Sequence, residues 1–256
     1  MTVTVVFTGP AGSGKTFLTY KYGKWLEEEL LMKVAFVNLD PGAENVFYKP
    51  VFDIRSFFTL KDIMIKYSLG PNGAFIKASQ LIAENIDEIF SKNPFIDIDS
   101  WDIVLIDTPG QMETFIFREY SNVFFNRLRK ITRPVIIYIV DASSIEKIVD
   151  MLTMWFIHIL IFVKTGIPTI PIVNKIDQAR RIDVIKNVIE KPDDVFEKVM
   201  GENSGLIEDI LKELISITVK TKAPIRTILV SAIEQNDYSE LHSLIHEVYC
   251  VCGDLT

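Results

Sequence analysis

With 256 residues, a net charge of −7 and 24% charged side chains, the chain lacks the basic surplus that tracks nucleic acid or anionic lipid, and it lacks the polarity of a disordered segment. Its 48% apolar content and mean hydropathy of +0.24 imply a large core or an apolar surface buried by a partner. Cys250 and Cys252 are too few for a disulfide framework and do not make a zinc site alone, so a reducing, cytoplasmic setting is expected.

No basic-then-apolar leader precedes the first strand-like run, residues 2–8. That run delivers Gly9-Pro10-Ala11-Gly12-Ser13-Gly14-Lys15-Thr16, which opens a helical pattern over 14–32. A second strand, 34–39, ends at Asp40-Pro41-Gly42. Residues 43–101 then interrupt the rhythm with two helices, near 60–69 and 74–90, around Gly70-Pro71-Asn72-Gly73. Strand 103–107 leads into Asp107-Thr108-Pro109-Gly110-Gln111 and a helix over 112–130. Strand 134–141 is followed by a helix over 144–164, whose most apolar part, 151–163, is shorter than the roughly 20 residues a membrane span needs. That segment reads as a core helix or as part of an interface. Strand 169–174 ends in Asn174-Lys175-Ile176-Asp177. A polar helical excursion over 178–200 includes a helix at 193–200, and a further helix covers 206–220. Strand 226–231 leads to Ser231-Ala232-Ile233 and a last helix over 238–251.

Continuous apolar strands alternating with helices predict an α/β, doubly wound, mainly parallel sheet flanked by helices, with a helical insertion between the second and third strands. With no repeat or linker visible, residues 1–256 read as one domain. Ligands of such sheets bind at the carboxyl ends of the strands, and every suggestive motif here follows a strand.

The chemistry follows from the residue types. Glycines at 9, 12 and 14 let backbone N–H groups turn inward around a polyphosphate at a helix N-terminus, with Pro10, Ala11 and Ser13 completing the loop. Lys15 then reaches the β/γ-phosphates, and Thr16 offers a hydroxyl to Mg²⁺. Asp107 ends its strand where such folds place the acid that holds Mg²⁺, with Asp40 as a second candidate. The Gly110 N–H can sense a γ-phosphate. Asp40, Gln111 and Glu113 compete for the attacking water: Gln111 can only orient it, whereas Asp40 or Glu113 could act as a base. Asp177 can accept the N1–H and exocyclic amine of guanine, a donor pair adenine does not present. Lys175 can line the base, Asn174 can tie its loop to the phosphate loop, and Ser231, Ala232 and Ile233 can offer a backbone N–H to guanine O6. Gly70-Pro71-Asn72 reads by itself as turn chemistry. Arg55 and Arg118 read as surface arginines rather than as an arginine finger.

Taken in order, these strings resemble the GPN-loop GTPases over essentially the whole length, as an archaeal-type member that stops soon after its last helix. The matching residues are those from Gly9 to Thr16, Leu39-Asp40-Pro41-Gly42-Ala43-Glu44, Gly70-Pro71-Asn72, the residues from Asp107 to Glu113, Asn174 to Asp177, and Ser231-Ala232. The resemblance implies a P-loop GTPase of the signal-recognition and MinD-like branch. It also implies a homodimer in which Gly70, Pro71 and Asn72 reach the partner's nucleotide, with Asn72 near the γ-phosphate. Mg²⁺ would be the cofactor, GTP and GDP substrate and product, and the client a protein assembly such as RNA polymerase, with no nucleic acid and no membrane. Two alternatives stay open: a MinD-like dimeric ATPase, or a slow GTP-dependent assembly scaffold.

Overall fold

The computed structural model describes residues 1–192, 196–197, 205–221, 226–233 and 238–248. Among them the elements run β1 (Val3–Thr8), α1 (Lys15–Glu29), β2 (Val34–Asn38), β3 (Phe52–Asp53), α2 (Leu60–Tyr67), α3 (Pro71–Glu84), α4 (Ile86–Phe90), β4 (Ile103–Asp107), α5 (Met112–Phe115), α6 (Glu119–Leu128), β5 (Arg133–Asp141), α7 (Ile148–Thr165), β6 (Thr169–Asn174), α8 (Ile182–Glu190), α9 (Leu206–Lys220), β7 (Ile228–Val230) and α10 (Tyr238–Glu247). The seven strands form one sheet in the order β3-β2-β4-β1-β5-β6-β7, and every neighbouring pair is parallel.

Both faces of the sheet are covered, which is why its strands read as unbroken apolar runs. Successive residues alternate between two cores. Val6, Val37, Ile106 and Tyr138 face one that includes Trp155 of α7, while Val5, Phe36, Leu105 and Ile137 face the other with Leu18 and Tyr22 of α1. Register sets the site. Asn38 and Phe7 both pair with Asp107, and Asp141 pairs with Asn174, so the strand-ending polar residues emerge at one edge.

Several local readings change in three dimensions. The insertion contains a strand, β3, that its two residues could not announce. Gly70-Pro71-Asn72 is the start of α3 rather than a free turn: Gly70 is the N-cap and Pro71, which has no N–H to leave unpaired, takes the first helical position. The helix expected over 74–90 is split at Asn85, whose side-chain amide donates to Leu81 O at 2.8 Å. The helix expected over 112–130 is also two pieces, because Arg118 is extended and its carbonyl accepts from the Ser121 hydroxyl at 2.8 Å. The helix expected from 144 begins at Ile148, after a turn capped by Asp141. Most of the helix expected over 193–200, and both cysteines, lie outside the described residues.

By length and composition, α7 is apolar enough to cross a membrane. One face, with Met151, Leu152, Trp155 and Ile161, is buried, and the helix packs against β6, α6, α8 and α9. Leu160, Phe162 and Val163, toward its C-terminal end, are exposed, so α7 is a core helix that also presents apolar side chains at the surface. Trp155 is fully buried and its indole N–H donates to Thr227 Oγ1 at 2.7 Å. Trp155→Ala is expected to cost about 3–5 kcal/mol, read as a lowered denaturation midpoint at unchanged slope.

Candidate nucleotide site

The phosphate loop joins β1 to α1. Gly14, the N-cap of α1, is left-handed at φ 91°, and no side chain caps the helix. A Cβ at Gly14 would lie 2.5 Å from Asn174 Nδ2, so glycine is required by contact as well as by conformation. An uncapped helix start leaves backbone N–H groups for an anion, and no acidic residue lies in the first turn to compete for them. The Ser13 hydroxyl is buried without a hydrogen-bond partner among the described residues.

Lys15 is 6% exposed, and its ammonium donates to Gly9 O at 2.8 Å, Pro10 O at 2.9 Å and Gly110 O at 3.0 Å. It ties the phosphate loop to the loop after β4. Burial lowers its pKa, while Asp107, Asp40 and Glu113 pull in the other direction.

Asp107 lies beneath this lysine with no exposed surface. Its Oδ2 accepts from the Tyr48 hydroxyl at 3.1 Å, and its Oδ1 has no hydrogen-bond partner among the described residues. Burial pushes its pKa up to about 7. Asp40 adds to the rise, against Thr16, Lys15 and Tyr48. A buried carboxylate oxygen without a donor, beside a threonine hydroxyl, fits a hard cation. Among the described residues there is no group of three or more His, Cys, Asp or Glu that could hold a metal alone. Mg²⁺ is commonly held by one or two carboxylates together with phosphates and water.

Asp40 is held by backbone. Its Oδ1 accepts from Gly42 N–H at 2.8 Å and its Oδ2 from Gly110 N–H at 3.0 Å. Burial raises its pKa, against those two bonds and Lys15. The Gly110 N–H expected to meet a phosphate is therefore engaged by Asp40 here. Gln111 Nε2 donates to Asn72 Oδ1 of the same chain at 2.9 Å, so α3 brings Asn72 to the water-positioning candidates. Glu113, at the start of α5, is exposed.

On the other side of β1, Asn174 Nδ2 donates to Ser13 O at 3.0 Å and Lys175 Nζ to Gly12 O at 2.7 Å. Both residues thus fasten the loop after β6 to the phosphate loop, where the sequence assigned that task to Asn174. Asp177 is exposed, and one of its oxygens accepts from the buried Ser231 hydroxyl at 2.7 Å. Ala232 is buried and Ile233 exposed at the same edge.

Three contributors, Tyr48, Asp53 and Asp141, escaped sequence reasoning, and Arg55, read as a surface arginine, has a structural use. Tyr48 carried no local signal. Asp53 and Arg55 pair at 2.6 Å, and Arg55 also donates to Ala43 O at 2.8 Å, which pins the segment after Asp40 and removes this arginine as a finger. Asp141 accepts from Lys175 at 2.6 Å. Burial alone would raise the Asp141 pKa, but the Lys175 and Ser143 bonds hold it low. As a strand-ending acid it could have been found as Asp40 and Asp107 were.

The sheet order, the glycine-rich loop and the strand-end acids define a P-loop nucleotide-binding fold. Residues 7–251 match the family described as "Conserved hypothetical ATP binding protein". The chain is 35% identical over 258 residues to GPN-loop GTPase PAB0955 of Pyrococcus abyssi, covering 98% of this chain and 99% of that protein. The crystal structure of PAB0955, a GTPase in apo form, superposes with a TM-score of 0.86 at 33% identity, covering 98% of each chain. GPN-loop GTPase 1 of Saccharomyces cerevisiae is 31% identical over 68% of this chain and 45% of its own length. The chain belongs to the GPN-loop GTPase family.

Because the Asp107 pKa is raised above that of an unfolded aspartate, this carboxylate's own contribution to the stability of the ligand-free fold falls as pH rises from about 4 to about 7. Asp107→Asn keeps an acceptor for Tyr48 and removes the buried charge. It is expected to stabilise the ligand-free protein by on the order of 1–3 kcal/mol at pH 8 and by less at pH 5, measured by thermal melting at both. An equal shift at the two pH values would contradict this account of Asp107.

Proposed function

We propose that the protein is a Mg²⁺-dependent GTPase working as a homodimeric switch. The observation that carries this reading is the fastening of the Asn174-Lys175-Ile176-Asp177 loop to the phosphate loop. It holds the Asp177 carboxylate at a fixed place relative to Lys15, beside Ser231 and at the same sheet edge. A carboxylate so presented complements guanine's paired donors and would be left unsatisfied by adenine, although the matching family's description names ATP.

In this reading the backbone from Gly9 to Thr16 cradles the phosphates. Lys15 exchanges its carbonyl partners for phosphate oxygens, and Asp177 with Ser231, Ala232 and Ile233 reads the base. Thr16, Asp107 and Asp40 hold the magnesium ion, which when bound neutralises phosphate charge. Asp40, Gln111 and Glu113 share the water-positioning role: Gln111 would only orient the water, whereas Asp40 or Glu113 could accept its proton. Catalysis rests on positioning and charge stabilisation. The contact between Gln111 and Asn72 supports a place for the Gly70-Pro71-Asn72 segment at the mouth of the site. In the proposed homodimer Asn72 would leave Gln111 of its own chain and reach the site of a second copy, as the family resemblance implies, with the exposed apolar side chains of α7 as a candidate contact. The output in the cytoplasm would be assembly of a protein complex, RNA polymerase being the class of client the family suggests.

Competition for a bound fluorescent guanine nucleotide tests the base assignment. GTP is expected to displace it at least a hundredfold more effectively than ATP, and Asp177→Ala to erase most of that difference. Equal displacement by both nucleotides in the wild-type protein would instead support the MinD-like ATPase. Alanine variants of Asp40, Gln111 and Glu113, assayed at saturating GTP, separate the three water-positioning candidates.

A further inference from the structure

Tyr48 lies in the segment between Asp40 and β3, 59 positions from Asp107 in the chain, yet its hydroxyl donates directly to Asp107 Oδ2 at 3.1 Å. The side chain is 6% exposed, and its ring stacks on Phe36 of β2 with centroids 4.8 Å apart and planes at 16°. Phe36 pairs in register with Leu105 of β4, two residues before Asp107. The ring therefore stands on the strand next to the one that presents the carboxylate.

Packing explains the ring but not the hydroxyl. A phenylalanine would stack on Phe36 equally well and would place no polar atom in the core, where an unpaired hydroxyl is costly. The hydroxyl donates to a carboxylate whose other oxygen lacks a hydrogen-bond partner among the described residues. Holding Oδ2 fixes the rotation of the carboxylate and selects Oδ1 as the oxygen left for a ligand.

The segment that carries Tyr48 is itself fixed. Val51 N–H donates to Phe36 O at 2.8 Å, Arg55 holds the Ala43 and Glu44 carbonyls, and Phe47 packs on Phe17 and Tyr20 of α1. The phenol is delivered to Asp107 from both ends of its segment.

We infer that Tyr48 is a positioning residue for the metal-binding carboxylate: its hydroxyl holds Asp107 Oδ2 so that Oδ1 is turned toward Mg²⁺. This rests on the reading of Asp107 as the magnesium carboxylate. Groups that orient metal ligands by hydrogen bonding typically change metal affinity by about 10–100-fold when removed, which sets the scale for losing the phenol O–H.

The test is the release rate of a fluorescent GDP analogue from the full chain, titrated with Mg²⁺ and repeated in EDTA, for wild type, Tyr48→Phe and Asp107→Asn. Tyr48→Phe keeps the stacked ring, and its melting temperature verifies the fold. The expected result is a Mg²⁺ half-point raised about tenfold or more in Tyr48→Phe, with the EDTA release rate unchanged. Two results overturn the inference. One is a wild-type Mg²⁺ half-point in Tyr48→Phe while Asp107→Asn shifts it. The other is release accelerated equally with and without Mg²⁺, which would mean a packing role only. If Asp107→Asn leaves the half-point unmoved, the magnesium reading itself fails and the inference falls with it.

Discussion

The site depends on a carboxylate held where water cannot reach it. Asp107 ends a central strand with no exposed surface, beneath a lysine that is itself nearly buried, so its charge must be compensated by what the protein or a ligand brings. In the ligand-free chain the compensation is incomplete: one oxygen has Tyr48, the other has no donor, and burial pushes the pKa up to about 7. A group kept in that condition is a cost to the fold and a ready partner for a cation. In the proposed reading a bound cation and phosphates would recover that cost, which would link binding to the fold of the surrounding loops.

The loops around it are bonded to one another more than to the core. Lys15 bridges the phosphate loop to Gly110, Asp40 grips Gly110 and Gly42, and Gln111 meets Asn72 from the insertion. Across β1, Asn174 and Lys175 fasten the loop after β6 to Ser13 and Gly12, and Asp141 holds Lys175 in place. A phosphate entering this network must compete with backbone carbonyls for Lys15 and with Asp40 for the Gly110 N–H. In the proposed reaction, binding would be an exchange of hydrogen bonds at Lys15 and Gly110, next to Gln111 and the Asn72 it contacts. Such an exchange can report nucleotide state at the surface without a large movement of the sheet.

Much of this was legible because parallel sheets put chemistry at strand ends. The strand preceding Gly9, the strand ending at Asp107 and the strand ending at Asn174 each announced themselves by an apolar run with a polar stop, and the observed register aligns those stops. Apart from the tie of Asn174 to the phosphate loop, contacts that join distant segments were illegible. Nothing local to Tyr48 points to an acid 59 residues away, and nothing in Arg55 shows that it is spent on Asp53 and two carbonyls. Gly70-Pro71-Asn72 misled in a different way: its turn residues start a helix, because proline suits a first helical position as well as a turn. The same proximity effect hid the bond between Asn72 and Gln111, which only the packing of α3 beside α5 reveals.

The most direct test of the central claim is a crystal structure of the protein with GDP, Mg²⁺ and aluminium fluoride bound. The account predicts Mg²⁺ beside Thr16 and Asp107, guanine on Asp177, Lys15 on phosphate oxygens, and Asn72 from a second copy at the fluoride. A metal held away from Asp107, or a guanine that does not touch Asp177, would contradict it.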